Sequence, residues 1–342
     1  GLVQSYFKNK SRNLKKIVTY GANWGNIRYG KGFRSSNTIK ILKKNLNLNN
    51  VKHCLDIGSN RGSFINELGA HNKKVRFIGV ESDKALKPIF KKSLLIKNYK
   101  TRFEKFTSLK KFDLIHCSHT LEHLDSPSLF FKKIKKFMHE KTVLYLEVPN
   151  IKVLKNYSNF VEEYFIDKHS YHFSDFDIVN YEKKYGLRLI KKFNDNNNII
   201  HLLRLNNNVS NKSNLKSTYA QNYSIIKKYQ KEIRINLANL KVFFKKIFPI
   251  IKSKKIVLFW GAGRIFNALY EKTNLKLFNK NIYLVDKNLV YFFKKINNFK
   301  IYSPKQIKKI LPDLVVVTAR SFEDEIKKEI LKYYDKKIKI IS

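Results

Sequence analysis

Cysteine and long apolar runs are scarce in this sequence of 342 residues. The two cysteines, Cys54 and Cys117, lie inside apolar runs, and no C-x-x-C pair or His/Cys cluster has the spacing of zinc ligands. This predicts neither a disulfide framework nor a metal site. No apolar run approaches the roughly 20 residues that cross a bilayer, and the first residues lack the apolar core of a secretion signal. The predictions are therefore a cytoplasmic location and no membrane span.

Acidic residues are also few, numbering 26 against 70 lysines and arginines, which gives a formal net charge of +44. Clustered basic residues would indicate nucleic acid, because they neutralise phosphates. Here the lysines recur as pairs through almost every predicted helix, which favours solvated helix faces over a nucleic-acid footprint. An anionic small-molecule substrate suits the same charge.

The chain is long enough for two domains, with 43% hydrophobic residues to form their cores. From Lys52, short apolar strands alternate with amphipathic helices, which predicts an α/β fold with a doubly wound parallel sheet and helices on both faces. The predicted strands read HCLDIG, VRFIGVE, FDLIHCS and TVLYLEVP, and the predicted helices cover residues 63–68, 84–95 and 127–138.

The second half repeats this alternation on a smaller scale. A polar run at 206–217 has the composition of a linker, and a long amphipathic helix is predicted over 223–248. A second, smaller Rossmann-like α/β domain then follows. The predicted organisation is an N-terminal helix and loop at 1–48, a first α/β domain at 49–206, a linker and connecting helix at 207–250, and the second domain at 251–342.

A glycine turn follows the first strand of the first domain. Gly58 and Gly62 are spaced G-x-x-x-G, and the absence of their side chains lets the backbone pass close to a ligand. Asp56 can accept a hydrogen bond from a ligand's ammonium group, and Glu81, at the end of the next strand, can accept bonds from both ribose hydroxyls. These residues predict a nucleoside crevice, although the glycine turn alone is also compatible with a purely structural strand-to-helix turn. Dinucleotide enzymes use G-x-G-x-x-G instead, so the spacing favours S-adenosylmethionine over NAD.

Two later segments make the pattern more specific. The strand FDLIHCS runs into L-E-H-L, and a further strand ends in E-V-P-N. Together with the glycine turn, these segments resemble the class I S-adenosylmethionine-dependent methyltransferases. The resemblance implies that residues 118–121 line the sulfonium and acceptor side of the pocket, whereas Glu122 and His123 could instead cap and pack the following helix. The candidate cofactor-binding residues are Asp56, Gly58, Ser59, Asn60, Gly62, Glu81, Ser82, Ser118, His119 and Leu121.

The second half extends the resemblance to the bacterial NDP-hexose C-methyltransferases, which combine a class I domain with a C-terminal Rossmann-like domain. The similar features are the turn Gly261-Ala262-Gly263, a strand ending in Asp286, and a later P-D strand at 312–316. The resemblance implies a nucleotide-linked sugar as the substrate. The family's N-terminal zinc module has no counterpart in this sequence, so methylation at carbon or at oxygen is left open.

Histidines supply the candidate base of the reaction. His169 is in register with the family's histidine and is the first candidate, with His172 and His119 as second candidates. Tyr164, Tyr171 and Glu122 are candidate substrate contacts. A histidine that only fixes its loop, and aromatic residues that pack on the domain edge, are the structural alternatives.

The second glycine turn could bind a nucleotide, with Asp286 on its ribose. The third glycine of a dinucleotide motif is missing, since Ile265 and Phe266 follow Arg264. A substrate-binding or structural role is therefore favoured over a second cofactor site.

The sequence thus predicts an S-adenosylmethionine-dependent methyltransferase acting on a nucleotide-linked sugar or a surface-glycan precursor. An RNA methyltransferase is an alternative suggested by the charge, but no N/D-P-P-Y motif or RNA-binding module supports it. A non-catalytic binding or scaffolding protein is a second alternative. The combination of Asp56, Gly58, Gly62 and Glu81 argues against it, because a silent protein does not need these residues together.

Overall fold

The computed structural model describes residues 2–4, 33–84, 86–156, 169–194, 197–206, 217–278, 280–291, 293–319, 322–334 and 338–342. The chain divides into two compact units. The first comprises Gly1–Asn156 and Phe165–Lys227, and the second comprises Tyr157–Tyr164 and Lys228–Ser342. Each unit is described by itself.

A seven-stranded sheet forms the centre of the first unit, in the order β4-β3-β2-β5-β6-β9-β8. Strands β2 to β6 are parallel, while β9 runs antiparallel between β6 and β8. A separate two-stranded sheet pairs β1 with β7. The strands are β1 (Val3–Gln4), β2 (His53–Ile57), β3 (Arg76–Glu81), β4 (Leu95–Lys100), β5 (Phe112–Ser118), β6 (Met138–Pro149), β7 (Tyr171–His172), β8 (Leu187–Asn194) and β9 (Asn198–Leu205). The predicted α/β sheet is thereby confirmed.

Both faces of this sheet are buried. Successive side chains of a strand point to opposite faces, so Leu55 and Ile57 enter one core cluster and Cys54 enters the other. This two-sided burial explains why the central strands read as nearly continuous apolar runs in the sequence.

Helices cover the sheet and have local signals at their ends. Ser126 caps one helix by accepting the Leu129 N–H, with Pro127 in the first turn. Ser174 and Asp177 form a capping box at the start of another. The helices are α1 (Phe33–Asn45), α2 (Ser63–His71), α3 (Pro127–Ile134), α4 (Asp175–Lys184) and α5 (Tyr219–Lys252), the last of which continues into the second unit. No described helix is long and apolar enough to cross a membrane.

The helix predicted over residues 84–95 is wrong. In the described part of this segment the chain is irregular up to β4, an edge strand that was not predicted. Pro88 provides the reason, since it lacks an N–H group and disfavours a helical conformation at Lys87. The segment is held instead by the Ile89 N–H, which donates to Arg61 O at 2.9 Å, and by Asn66 Nδ2, which donates to Ile89 O at 2.6 Å.

A six-stranded sheet forms the second unit, in the order β12-β13-β11-β10-β14-β15. All its pairs are parallel except β12 with β13. The strands are β10 (Val257–Trp260), β11 (Ile282–Val285), β12 (Lys295–Ile296), β13 (Phe299–Tyr302), β14 (Leu314–Val317) and β15 (Lys339–Ile341), with helices α6 (Arg264–Lys272) and α7 (Glu323–Tyr333). The predicted second Rossmann-like unit is confirmed.

A buried ionic cluster ties α4 to the antiparallel end of the first sheet. His201 on β9 is fully buried, its Nδ1 contacts Glu182, and its Nε2 lies 3.2 Å from Asp175 Oδ1. Burial lowers the pKa of His201, but the bonds to Asp175 and Glu182 outweigh burial and raise the pKa above 6.5. The bond to His201 and the nearby Lys192 ammonium lower the pKa of Asp175 to about 2.

The substitution His201→Ala should lower the free energy of unfolding by about 3 kcal/mol at neutral pH, because the buried Glu182 and the partly buried Asp175 lose their shared partner. Since the folded-state pKa of His201 is raised, its stabilisation is complete below pH 6.5 and disappears as the pH rises through that raised value. Urea denaturation at about pH 6 and about pH 9 measures this. His71→Ala, at an exposed position, is the control. An equal loss at both pH values would contradict the expectation.

Candidate active site

The candidate site lies at the carboxyl ends of β2, β3, β5 and β6, where ligands bind in sheets of this kind. Parallel pairing of β2 with β3 and β5, and of β5 with β6, brings the four strand ends to one edge. The segments that follow these strands carry almost all the residues singled out in the sequence.

The turn after β2 adopts left-handed backbone conformations, with φ of +77° at Gly58, +48° at Asn60 and +83° at Gly62. A Cβ atom on Gly58 would meet Thr120 Oγ1 at 2.0 Å, and one on Gly62 would meet the Phe90 ring at 2.3 Å. Glycine is therefore required at both positions, because φ is positive and because a side chain would collide with its neighbour. The glycine turn can therefore serve both purposes considered from the sequence, which are a structural strand-to-helix turn and a close approach of the backbone to a ligand.

Glu81 is fixed by the backbone of two loops. The Asn60 N–H donates to Glu81 Oε2 at 2.9 Å, and the Asp83 N–H donates to Glu81 Oε1 at 2.8 Å. A carboxylate offers about four acceptor positions, so two remain for ligand hydroxyls. Ser59 is buried with its hydroxyl 3.4 Å from Asn98 Oδ1, whereas Ser82 is exposed.

The turn has an unused polar group that fits a nucleoside ligand. Asn60 Oδ1 is buried and accepts no hydrogen bond from the described residues. A buried acceptor without a donor is costly, so a ligand donor group would stabilise it. The free acceptor positions of Glu81 and the Asn60 amide therefore suit the adenosyl part of S-adenosylmethionine.

Asp56 has a partner within the protein. It is 1% exposed, and His116 Nδ1 lies 2.7 Å from its Oδ1. The His116 ring stacks on Phe64, with 3.7 Å between centroids. The bond of Asp56 to a ligand ammonium stays a prediction. Sequence reasoning missed His116, although a histidine inside the apolar strand FDLIHCS was a visible signal.

Glu147 is the centre of a second polar network, on the acceptor side. Its Oε2 accepts from the Ser118 hydroxyl at 2.6 Å and from the Tyr145 hydroxyl at 3.2 Å, and its Oε1 lies 3.6 Å from His119 Nε2. Burial raises the pKa of Glu147, but His119, the Ser118 hydroxyl and the Arg34 charge outweigh burial and lower the pKa to about 2. Glu147 was missed in the sequence, where it is the single acid within the apolar run TVLYLEVP.

The substitution Glu147→Gln should lower the free energy of unfolding by about 3 kcal/mol at neutral pH. This is the free energy that corresponds to the shift in the pKa of Glu147 from 4.5 to about 2. Because the folded-state pKa is depressed, this stabilisation is present above pH 4.5 and is lost as the pH falls through about 2. Urea denaturation across the acid range checks this. Glu140→Gln, exposed on the same strand, should keep the wild-type profile.

Three predicted residues meet beside this network. Glu122 is fully buried, with its Oε1 3.5 Å from His119 Nδ1 and 3.9 Å from His169 Nε2. His119 has a φ of +49°, an uncommon left-handed conformation for a residue other than glycine. The Ser170 N–H donates to Glu122 O at 2.8 Å and holds the His169 loop on this turn. The side chains of His119 and His169 are 19% and 16% exposed, although the Nε2 atom of His119 is itself buried.

The other candidate residues are not part of this group of Glu122, His119 and His169. His172 is 2% exposed, pairs with Val3 across β1 and β7, and its ring centroid is 6.0 Å from that of His169. Leu121 is fully buried in the core. Tyr171 donates its hydroxyl to Asp125 O at 2.6 Å. Tyr164 lies outside the described residues.

The second unit repeats the geometry of the first turn. Gly261 has a φ of +110°, and its N–H donates to Val285 O at 2.8 Å. The Ala262 N–H donates to Asp286 Oδ2 at 3.0 Å. A Cβ atom on Gly263 would meet nothing within 4 Å, so the space beside this glycine is open.

Comparison with known families identifies the first unit. Residues 31–192 match the family model described as a methyltransferase domain. Residues 252–341 match a second model, described as C2185-like, N-terminal. Neither description names the sugar C-methyltransferase family, so the resemblance to that family stays a prediction.

Individual proteins show more distant similarity. A tRNA (guanine-N(7)-)-methyltransferase from Mycoplasma mycoides subsp. mycoides SC is 37% identical over 78 residues, which cover 22% of this chain and only 34% of that protein. A solved S-adenosylmethionine-dependent methyltransferase from Clostridium acetobutylicum is 14% identical and covers 56% of this chain and 99% of its own, with a TM-score of 0.41. An O-methyltransferase from a Brevibacillus brevis multienzyme, solved with S-adenosyl-L-homocysteine, is 11% identical and covers 70% of this chain and 95% of its own, with a TM-score of 0.42.

The family match and the strand order agree with each other. Residues 31–192 carry a class I methyltransferase domain, and its cofactor is S-adenosylmethionine. The predictions of this fold and this cofactor are confirmed. The solved structures, with TM-scores below 0.5, add no argument about the acceptor.

The substitution Glu81→Gln should weaken S-adenosylmethionine binding about 10- to 100-fold, because a hydrogen bond to a charged group contributes about 1.5–3 kcal/mol to the free energy of binding. Isothermal titration calorimetry measures the change. The matched control is Glu67→Gln on α2, a partly buried acid outside the strand ends, which should bind like the wild type. Equal affinity of Glu81→Gln and Glu67→Gln would remove Glu81 from the cofactor site.

Proposed function

We propose that this protein transfers a methyl group from S-adenosylmethionine to a nucleotide-linked sugar or a surface-glycan precursor, at oxygen or at carbon. The observation that carries the proposal is the pair of partly exposed histidines, His119 and His169, beside the buried carboxyl group of Glu122. A sugar hydroxyl, or a carbon next to a keto group, must lose a proton when it is methylated, and an imidazole suits that role near neutral pH.

The residues have separate tasks in this proposal. S-adenosylmethionine supplies the methyl group together with its own leaving group. Glu81 and the turn at 58–62 orient the nucleoside, and positioning of this kind provides much of the rate enhancement in a direct displacement. His169 is the first candidate for the base and His119 the second. Glu122 is buried and faces both imidazoles, so it is placed to position them.

Two features support an anionic, nucleotide-linked acceptor. In the second unit, Asp286 Oδ1 accepts the N–H groups of Asn288 and Leu289, at 2.9 and 2.8 Å, and Oδ2 accepts that of Ala262. The carboxylate thus stands beside an open glycine turn, as in nucleoside-binding units. The net charge of +44 attracts phosphate-bearing substrates of any size.

RNA is the second candidate acceptor. It is favoured by the match to a tRNA methyltransferase, although that match spans about a third of the relative's length. The charge supports RNA as well. Against it, the basic residues are distributed along the chain and form no recognisable RNA-binding module.

Labelled S-adenosylmethionine separates the two acceptors. The full chain is incubated with a panel of sugar nucleotides and, in parallel, with total RNA, and incorporated label is counted. We expect label in one or more sugar nucleotides, and we expect His169→Gln or His119→Gln to reduce it at least 100-fold, the usual contribution of a general base. The control His139→Gln, a partly exposed histidine paired with Asp113, should keep full activity.

Label found in RNA alone would replace the proposal with the second candidate. Label in neither pool, from protein that binds S-adenosylmethionine, would refute both acceptors. Unchanged activity in both histidine variants would refute the assignment of the base while leaving the acceptor class intact.

A further inference from the structure

Glu122 has a buried carboxyl group that makes no hydrogen bond with the described residues. Its side chain is 0% exposed, and among the described residues neither of its oxygens has a hydrogen-bond partner. The imidazoles of His119 and His169 face Oε1 at 3.5 and 3.9 Å, which is too long for good hydrogen bonds. Buried carboxylates in proteins are usually hydrogen-bonded, paired with an opposite charge or bound to a metal ion.

Two imidazoles complete a set of donors around this carboxylate. Each of three residues offers one donor atom, and the three atoms lie within 4.8 Å of one another. The residues are Glu122, His123 and His169. The rings of His123 and His169 have centroids 4.6 Å apart and are inclined at 67°. Ligands bound to one zinc ion at 2.0–2.2 Å are separated by roughly 3–3.5 Å, so modest side-chain rotations would close the set on an ion.

The backbone holds the two contributing segments together. Glu122 and His123 lie in the turn Leu121–His123, while His169 precedes β7. The Ser170 N–H donates to Glu122 O at 2.8 Å, and the Tyr171 hydroxyl donates to Asp125 O at 2.6 Å. His119, whose Nδ1 lies 3.5 Å from the same Glu122 Oε1 that faces His169, is placed to orient the carboxyl group as outer-shell residues do in metal sites.

We propose that Glu122, His123 and His169 bind one divalent first-row transition-metal ion of the Zn²⁺ type. Two imidazole nitrogens and one carboxylate oxygen suit zinc, iron or nickel, whereas Mg²⁺ and Ca²⁺ prefer oxygen ligands alone. Three protein ligands leave a coordination position open, as in catalytic zinc sites. Sequence spacing predicts no metal site, because His169 is remote from Glu122 in the chain and only the fold brings it near.

The ion would also refine the proposed function, and this part of the inference rests on that function. An open coordination position next to His119 gives an acceptor hydroxyl a place to bind, with its acidity increased by the positive charge. With the ion bound, His169 would be a metal ligand and could not act as the base, so the order of the two candidates would change and His119 would take that role.

Metal binding is tested without any methyl acceptor. Full-length protein without a polyhistidine tag is stripped with a chelator and titrated with Zn²⁺, and separately with Mg²⁺, by isothermal titration calorimetry. We expect one Zn²⁺ per chain and no saturable Mg²⁺ binding. His123→Gln, His169→Gln and Glu122→Gln should each weaken Zn²⁺ binding at least tenfold.

His139→Gln is the matched control, since His139 Nε2 also faces a carboxylate, Asp113, at 3.2 Å but is not part of the three-donor set. It should bind Zn²⁺ like the wild type. S-adenosylmethionine binding by each variant reports whether the fold is intact. His123 is exposed, so His123→Gln keeps the test decisive even if Glu122→Gln does not fold.

The site is refuted if wild-type protein binds less than one Zn²⁺ per chain, or if His123→Gln and His169→Gln bind it as tightly as His139→Gln does. These outcomes are independent of the acceptor. A chain that binds Zn²⁺ but methylates no sugar nucleotide refutes only the proposed function. A chain that methylates sugar nucleotides and binds no Zn²⁺ refutes only the metal site.

Discussion

The hydrogen bonds that join the glycine turn to the end of β3 determine the form of the candidate cofactor site. The Gly58 N–H donates to Val80 O at 2.8 Å, and the Asn60 N–H donates to the Glu81 carboxylate. One strand end thereby orients both the turn and the acid that would bind the ribose. The second unit has a similar pair of bonds, in which the Gly261 N–H donates to Val285 O and the Ala262 N–H donates to the Asp286 carboxylate. This arrangement follows from parallel pairing of neighbouring strands and requires no ligand.

Local patterns in the sequence were sufficient for the α/β class, the central strands and the glycine turn, because burial on both faces makes the central strands short but nearly continuous apolar runs. They failed at the connection before β4, where Pro88 outweighed an amphipathic pattern, and at β4 itself, whose edge position leaves its polar residues exposed. The network of Glu147 and the encounter of Glu122 with His169 depend on contacts between distant segments. Periodicity contains no information about such contacts.

Buried acids facing imidazoles are a repeated motif at the strand ends. Asp56 faces His116, Glu147 faces His119, and Glu122 faces both His119 and His169. Burying a carboxylate is costly, and a neighbouring imidazole offsets the cost when it carries a proton or shares one. Asp56 and Glu147 are satisfied by short hydrogen bonds, whereas Glu122 is not. That contrast distinguishes the part of the site that maintains the fold from the part available for chemistry.

The irregular segment before β4 has a further consequence. Its Phe90 ring fills the space beside Gly62, and its backbone is held by Asn66 and Arg61 rather than by a helix of its own. Segments with few regular backbone bonds open at a lower free energy than the sheet they border. Local unfolding of this stretch would therefore remove the Phe90 contact from the glycine turn while the sheet stays folded.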